Sequence, residues 1–278
     1  MNHLEFTAIV LAISALAGFL GSLTGLGGGV IVTPVLTLLL GVDLHHAMGA
    51  ALISVIATSS GAAAAYVREG FSNVRVGMFL EIATTLGAVV GAHLTTVVPG
   101  SALAIIFGLV LLYSAWHSLQ APPGKTSAAA DALAVRLRLN GAFPDAGRLV
   151  EYGVERVKAG FALMFGAGLL SGLLGIGSGA MKVIAMDQVM TIPFKVSTTT
   201  SNFMIGVTAA ASAGTYIRHG YVRPSLAMPV MLGVLGGSVL GARQLAGAGT
   251  RVLRLVFAGV IVVMAIEMIY NGFTGGMK

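Results

Sequence analysis

The chain has 278 residues, 56% of them hydrophobic and only 9% charged, and its mean hydropathy is +0.92. Soluble domains carry about 25% charged residues, so a fully wetted surface is excluded, and the absence of cysteine excludes disulfides, thiolate chemistry and Cys-based metal sites. The net charge of +6 gathers between apolar runs, where membrane orientation demands it, and is no nucleic-acid signature.

The opening run, "MNHLEFTAIVLAISALAGFLG", has no basic leader and meets a glycine break, which marks a retained helix rather than a signal peptide. Apolar segments fall at 5–23, 27–40, 44–67, 74–98 and 100–118. Several exceed the roughly 18 residues that mark a membrane-spanning helix. The long polar stretch 119–158 follows, with Lys125, Arg136, Arg138, Arg148, Arg156 and Lys158; such a basic run between spans predicts a solvated cytoplasmic loop. A second apolar set occupies 159–174, 179–190, 196–217, 224–245 and 252–272. The expected class is an all-α polytopic membrane protein in the cytoplasmic membrane, with the lipid bilayer as its surroundings.

The two sets are related by an internal repeat at a constant offset of 150. Gly18, Gly25, Gly27 and Gly29 meet Gly168, Gly175, Gly177 and Gly179, and Tyr66, Arg68 and Gly70 meet Tyr216, Arg218 and Gly220. Gly87 and Gly91 meet Gly237 and Gly241, a small-xxx-small spacing whose simplest use is close helix packing. The predicted organisation is a first transmembrane repeat at 1–118, a cytoplasmic linker at 119–158 and a second repeat at 159–278. Each repeat holds one glycine-broken helix and three further transmembrane helices, giving 8 to 10 membrane segments. If the short helix after each break crosses, the repeats have five segments and are inverted, as is common in secondary transporters. If it enters and returns, they cross four times and run parallel. Both schemes put the two termini on one side.

A helix broken inside a bilayer exposes backbone groups, which is tolerated only where the break is buried in protein or lines a watery cavity. The helix starts after "GLGGG" and "GIGSG" carry free N–H groups and a partial positive charge, and such ends bind anions. Backbone at Gly27, Gly28, Gly29, Gly177, Ser178 and Gly179 is thus a candidate substrate contact, with close packing as the simpler alternative. Lys182, one turn into the second short helix, adds a full charge, an arrangement suited to a doubly charged anion. Its alternatives are snorkelling or pairing with Asp187. Thr199, Ser201 and Asn202 lie in the polar run "STTTSN" of the following span, where hydroxyls serve either a ligand or helix packing. Glu81, within an apolar span, is a candidate proton carrier, as is Asp187. No metal site or cofactor motif is evident, nor any catalytic constellation or ATP-binding segment.

The order "GLGGG", "VIVTP", "AMGAALISV", "YVREG", "GAVVGAHL", repeated as "GIGSG", "KVSTTTSNF", "YIRHGYV" and "GSVLGARQL", resembles the sulfite exporter TauE/SafE family of membrane permeases. The resemblance covers about 10–118 and 159–270. It implies a secondary transporter that moves small sulfur-containing anions, such as sulfite or organosulfonates, across the cytoplasmic membrane through about eight spans. The alternatives are a passive anion channel and a permease for another small anion such as a carboxylate. The family's proline after each break is present as Pro34 but is Ile184 in the second half. Its Thr-Ser pair is Thr200 and Ser201 in the second half but Ala50 and Ala51 in the first. Polar groups therefore collect in the second half, which predicts an off-centre site.

Overall fold

The computed structural model describes residues 3–24, 28–68, 70–119, 130–145, 148–244 and 250–274. Long helices dominate: α1 (His3–Thr24), α3 (Leu44–Arg68), α4 (Val74–Leu94), α5 (Gly100–Leu119), α7 (Val157–Leu174), α9 (Phe194–Arg218), α10 (Pro224–Gln244) and α11 (Thr250–Thr274). Two short ones, α2 (Gly29–Pro34) and α8 (Gly179–Ile184), each run on into a widened π turn, Val35–Leu39 and Ala185–Val189. The bounds of both short helices and both π turns differ by 150 residues. Pro34 therefore does not cause the widening, because the second half makes the same turn after Ile184.

Among the described residues, α1, α4, α7 and α10 contain stretches both long and apolar enough to cross a membrane. With the polar buried faces of α3 and α9 between them, they make a helical bundle of multi-pass membrane type. Packing couples the two halves throughout. α1 lies on α10, α4 on α7, α5 on α11, and α3 and α9 lie against each other. The glycines set these approaches. A side chain at Gly237 or Gly241 would run into the carbonyls of Ala15 or Phe19, and one at Gly87 or Gly91 into those of Phe165 or Leu169. The paired small-xxx-small spacings are thus helix-packing devices.

The same contacts fix relative direction. Along α10, Gly233, Gly237 and Gly241 meet Leu11, Ala15 and Phe19 in turn, so α1 and α10 run parallel. Gly168 and Gly172 meet Thr84 and Ala88, so α7 and α4 also run parallel. Gly108 faces Ala265 and Gly272 faces Ser101, so α5 and α11 run antiparallel. Gly28 approaches Gly18, while Val10 and Ile13 share a seam with Leu36 and Leu40. The short helix of the first half therefore doubles back along α1.

The central stretch departs from a simple solvated loop. Its described part folds into α6 (Ala132–Arg136) and an antiparallel hairpin, β1 (Gly141–Asp145) with β2 (Arg148–Tyr152), in which Gly141 pairs with Tyr152. Ala134, Leu139, Phe143 and Tyr152 enter one buried cluster with Leu80 of α4 and Met186 of the second π turn. Asp131 caps two helices at once, accepting from the N–H of Leu133 and of Val157. Asn73, which caps α4, donates to the carbonyl of Leu139 and the hydroxyl of Tyr152. Basic residues at the surface conceal this small apolar core from a reading of charge alone.

Candidate functional site

The second helix break is built from residues that only a turn tolerates. Gly175 closes α7 with φ +66° and donates to the carbonyl of Ser171, and Gly177 follows at φ +74°. Ser178 then takes φ +45°, a region that side chains other than glycine enter at a cost. It is 2% exposed, and its hydroxyl has no hydrogen-bond partner. A strained residue with an unsatisfied polar atom is a departure from normal packing that points to function.

Lys182 follows one turn later and is fully buried. Side chains in a helix lean toward its N-terminus, and the Lys182 ammonium reaches α9, where it donates to Thr208 Oγ1 at 2.5 Å. Thr208 Oγ1 in turn donates to Glu81 Oε1 of α4 at 2.5 Å. Glu81 Oε2 lies 4.0 Å from the ammonium and accepts no hydrogen bond. Three elements thus meet in one buried chain, Lys182–Thr208–Glu81, about 10 Å along α4 from its start at the usual helical rise. Thr84 and Thr85 of α4 fringe it. Among the described residues Thr208 is the one hydrogen-bond acceptor of the ammonium, which leaves two of its three donors for other use.

The other sequence candidates divide. Ser201 donates to the carbonyl of Gly179, and Asn202 donates through Nδ2 to the carbonyl of Ser22, so both stand at the helix breaks. Asn202 Oδ1 is buried without a partner. Thr199 is turned elsewhere, its hydroxyl within 3.0 Å of the Phe71 carbonyl and 2.9 Å of the Lys195 carbonyl, tying α9 to the loop before α4. Gly28 lies beside Thr58 and Val234, and Gly29 against Val55, in the first break; Gly27 lies outside the described residues. Gly177 packs on Val55 and Ile205. Asp187 sits in the π turn, 5% exposed, with Oδ2 lacking a hydrogen bond; the ion-pair partner of Lys182 is Glu81, not Asp187. Sequence reasoning missed Thr208. Its signal was present, since Thr208 and Thr58 are both hydroxyl residues and stand 150 positions apart.

Positions 150 residues apart are chemically unlike at the site. The residues 150 positions from Glu81, Lys182 and Ser178 are Met231, Val32 and Gly28, so the charged chain has no counterpart at the first break. No cluster of metal-binding side chains occurs among the described residues.

A charged pair enclosed at a helix break, inside a bundle of membrane-length helices, is the construction of a membrane transport protein. The model of the "Sulfite exporter TauE/SafE" family matches residues 10–268, and the chain belongs to that family. It is 26% identical over 272 residues to the probable membrane transporter protein YunE of Bacillus subtilis, covering 95% of this chain and 97% of the relative. It is 26% identical to the probable membrane transporter protein YdhB of the same organism, over 84% of this chain and 89% of the relative. A probable membrane transporter protein of Xylella fastidiosa is 25% identical, over 95% of each chain. No solved structure matches the chain.

Proposed function

We propose that the protein is a secondary permease for small sulfur-containing anions, such as sulfite or organosulfonates, and that the anion binds at the start of α8 beside Lys182. The carrying observation is the Lys182–Thr208–Glu81 chain, a buried cation with spare donors at a broken helix. Ser178 and Ser201 stand at the same break and line it with the N–H groups of Gly177 and Gly179, while Asn202, whose amide donates to the Ser22 carbonyl of α1, adds a polar group from the side of the first break. The family's name supports the sulfur anion as substrate.

The threading that fits the helix directions is the inverted one. With α2 doubling back along α1, each half makes five passes, α2 and α8 being shorter than the bilayer core. The parallel pairs α1 with α10 and α4 with α7, and the antiparallel pair α5 with α11, then follow from opposite insertion of the two halves. On this scheme 1–118 and 159–278 are the repeats, 119–158 is cytoplasmic, and both termini share a side.

Labelled sulfite uptake into proteoliposomes tests the assignment, with sulfoacetate, taurine, sulfate and simple carboxylates as competitors. Saturable uptake with counter-transport, inhibited best by a sulfur-containing anion, is the expected result. Flux that never saturates assigns a channel, and preference for carboxylates moves the substrate class.

A further inference from the structure

Resting on the permease assignment, we propose that Lys182, Thr208 and Glu81 form a one-proton, one-anion site: a monovalent anion takes the place of Glu81 on Lys182 while Glu81 takes up a proton. The charge count compels the exchange. With no ligand, the ammonium and the carboxylate compensate each other at 4.0 Å. An anion that claims the ammonium strands the carboxylate in a site where Glu81 is 8% exposed and Lys182 fully buried. An unpaired buried charge is strongly disfavoured and neutralises instead.

Among the described residues nothing else nearby supplies the missing charge. On α4 itself, Arg75 and His93 are exposed near its ends; Lys158 of α7 and Lys195 and Arg218 of α9 are exposed as well. Asp187, on the π turn after α8, is a further acid and not a cation. Lys182 is therefore the one buried cation among the described residues packed against Glu81. The loaded site holds one ammonium, one neutral carboxyl and one monovalent anion, and its net charge is zero as before. A dianion would leave it at minus one. The lone lysine that sequence alone matches to a dianion is already half spent on Glu81.

Thr208 lets the exchange proceed without a stranded donor. In the structure its hydroxyl accepts from Lys182 and donates to Glu81. Once Glu81 carries a proton, the same hydroxyl accepts from the carboxyl O–H and donates to the anion. The proton comes from the aqueous phase and adds to a carboxylate oxygen; the lysine stays charged, and no covalent bond to the anion forms. Proton and anion cross together, and the cycle is electroneutral.

The test uses the full chain in proteoliposomes with an internal pH dye and isethionate, a sulfonate that stays singly charged over the working range; sulfate is the dianion control. The parent should acidify the lumen by one proton per isethionate, ignore a potassium-clamped membrane potential, and reject sulfate. Its isethionate affinity should rise as pH falls, by at most about tenfold per pH unit, the limit for a single linked proton. Glu81→Gln should bind isethionate without pH dependence and carry it, if at all, as net negative current. Thr208→Val, which keeps both charges, should slow coupled uptake while leaving its electroneutrality intact. Isethionate uptake by the parent without acidification, or with current, overturns the proposal and leaves the permease standing. Undiminished pH dependence in Glu81→Gln overturns it as well. If the parent carries no anion at all, the permease assignment falls and this proposal falls with it.

Discussion

Removing Lys182 should destabilise the protein far more than its replacement by an apolar residue suggests. Methionine is easier to bury than lysine, so sequence alone predicts that Lys182→Met folds readily. The structure reverses the sign, because Glu81 would remain behind without its cation. At the observed 4.0 Å separation, two unit charges attract by about 4 kcal/mol at an effective dielectric of 20. Breaking one side of a buried pair typically costs about 3–5 kcal/mol. Lys182→Met is therefore expected to lose roughly that amount, and Glu81→Gln a smaller amount, since the amide still accepts from Thr208. The double variant, with no charge left to strand, should be more stable than Lys182→Met alone. Equilibrium unfolding in mixed detergent micelles measures all three against the parent. If the two single effects add to within about 0.5 kcal/mol in the double variant, as independent sites do, the two charges are not coupled and the site is not as described.

Gly237→Val should destabilise by about 1–3 kcal/mol, the usual cost of overpacking, because its side chain would meet the Ala15 carbonyl; Gly236→Ala, facing open space, should be near neutral by the same unfolding measurement. Burial raises the Tyr152 phenol above its ordinary 10.0. Above pH 10 the detached hairpin releases a proton that the docked one keeps, so docking is full below pH 10 and weakens as pH rises through the higher docked value. Hydrogen exchange at residues 141–145 and 148–152, expressed as protection relative to the base-catalysed rate of an unfolded chain, should lose protection across that range. A single cysteine placed at Lys125 in this cysteine-free chain should resist an impermeant thiol reagent applied to intact cells, and labelling from outside would reverse the orientation.

The helices were legible because apolar runs of membrane length admit few other structures, and the 150-residue offset of the glycine motifs is also the offset between the two short helices and between the two π turns. Glu81 and Lys182 were each legible as costly charges in apolar runs. Their pairing was not, since it depends on α4 and α8 meeting across α9 and on a lysine stem that leans back toward its helix start. Thr199 and Thr208 look alike in sequence, yet one anchors a loop and the other bridges two charges; only helix register separates them. The hairpin escaped because its strands are short, and its apolar residues, Phe143 and Tyr152, are spaced among charges that mark a surface.

The pairing of α1 with α10 and of α4 with α7 also sets a timetable for biogenesis. As the chain leaves the ribosome, α1 enters the bilayer with its glycine and alanine face open, and its partner α10 is made only after α3 to α9 have followed. α4 waits a shorter time, until the hairpin and α7 have followed. The early helices must therefore be held at the insertion machinery or tolerated by lipid, and a chain truncated before Pro224 has no route to its native packing. The seam between α1 and α10 is therefore a late contact, closed only after the helices of the second half have been made.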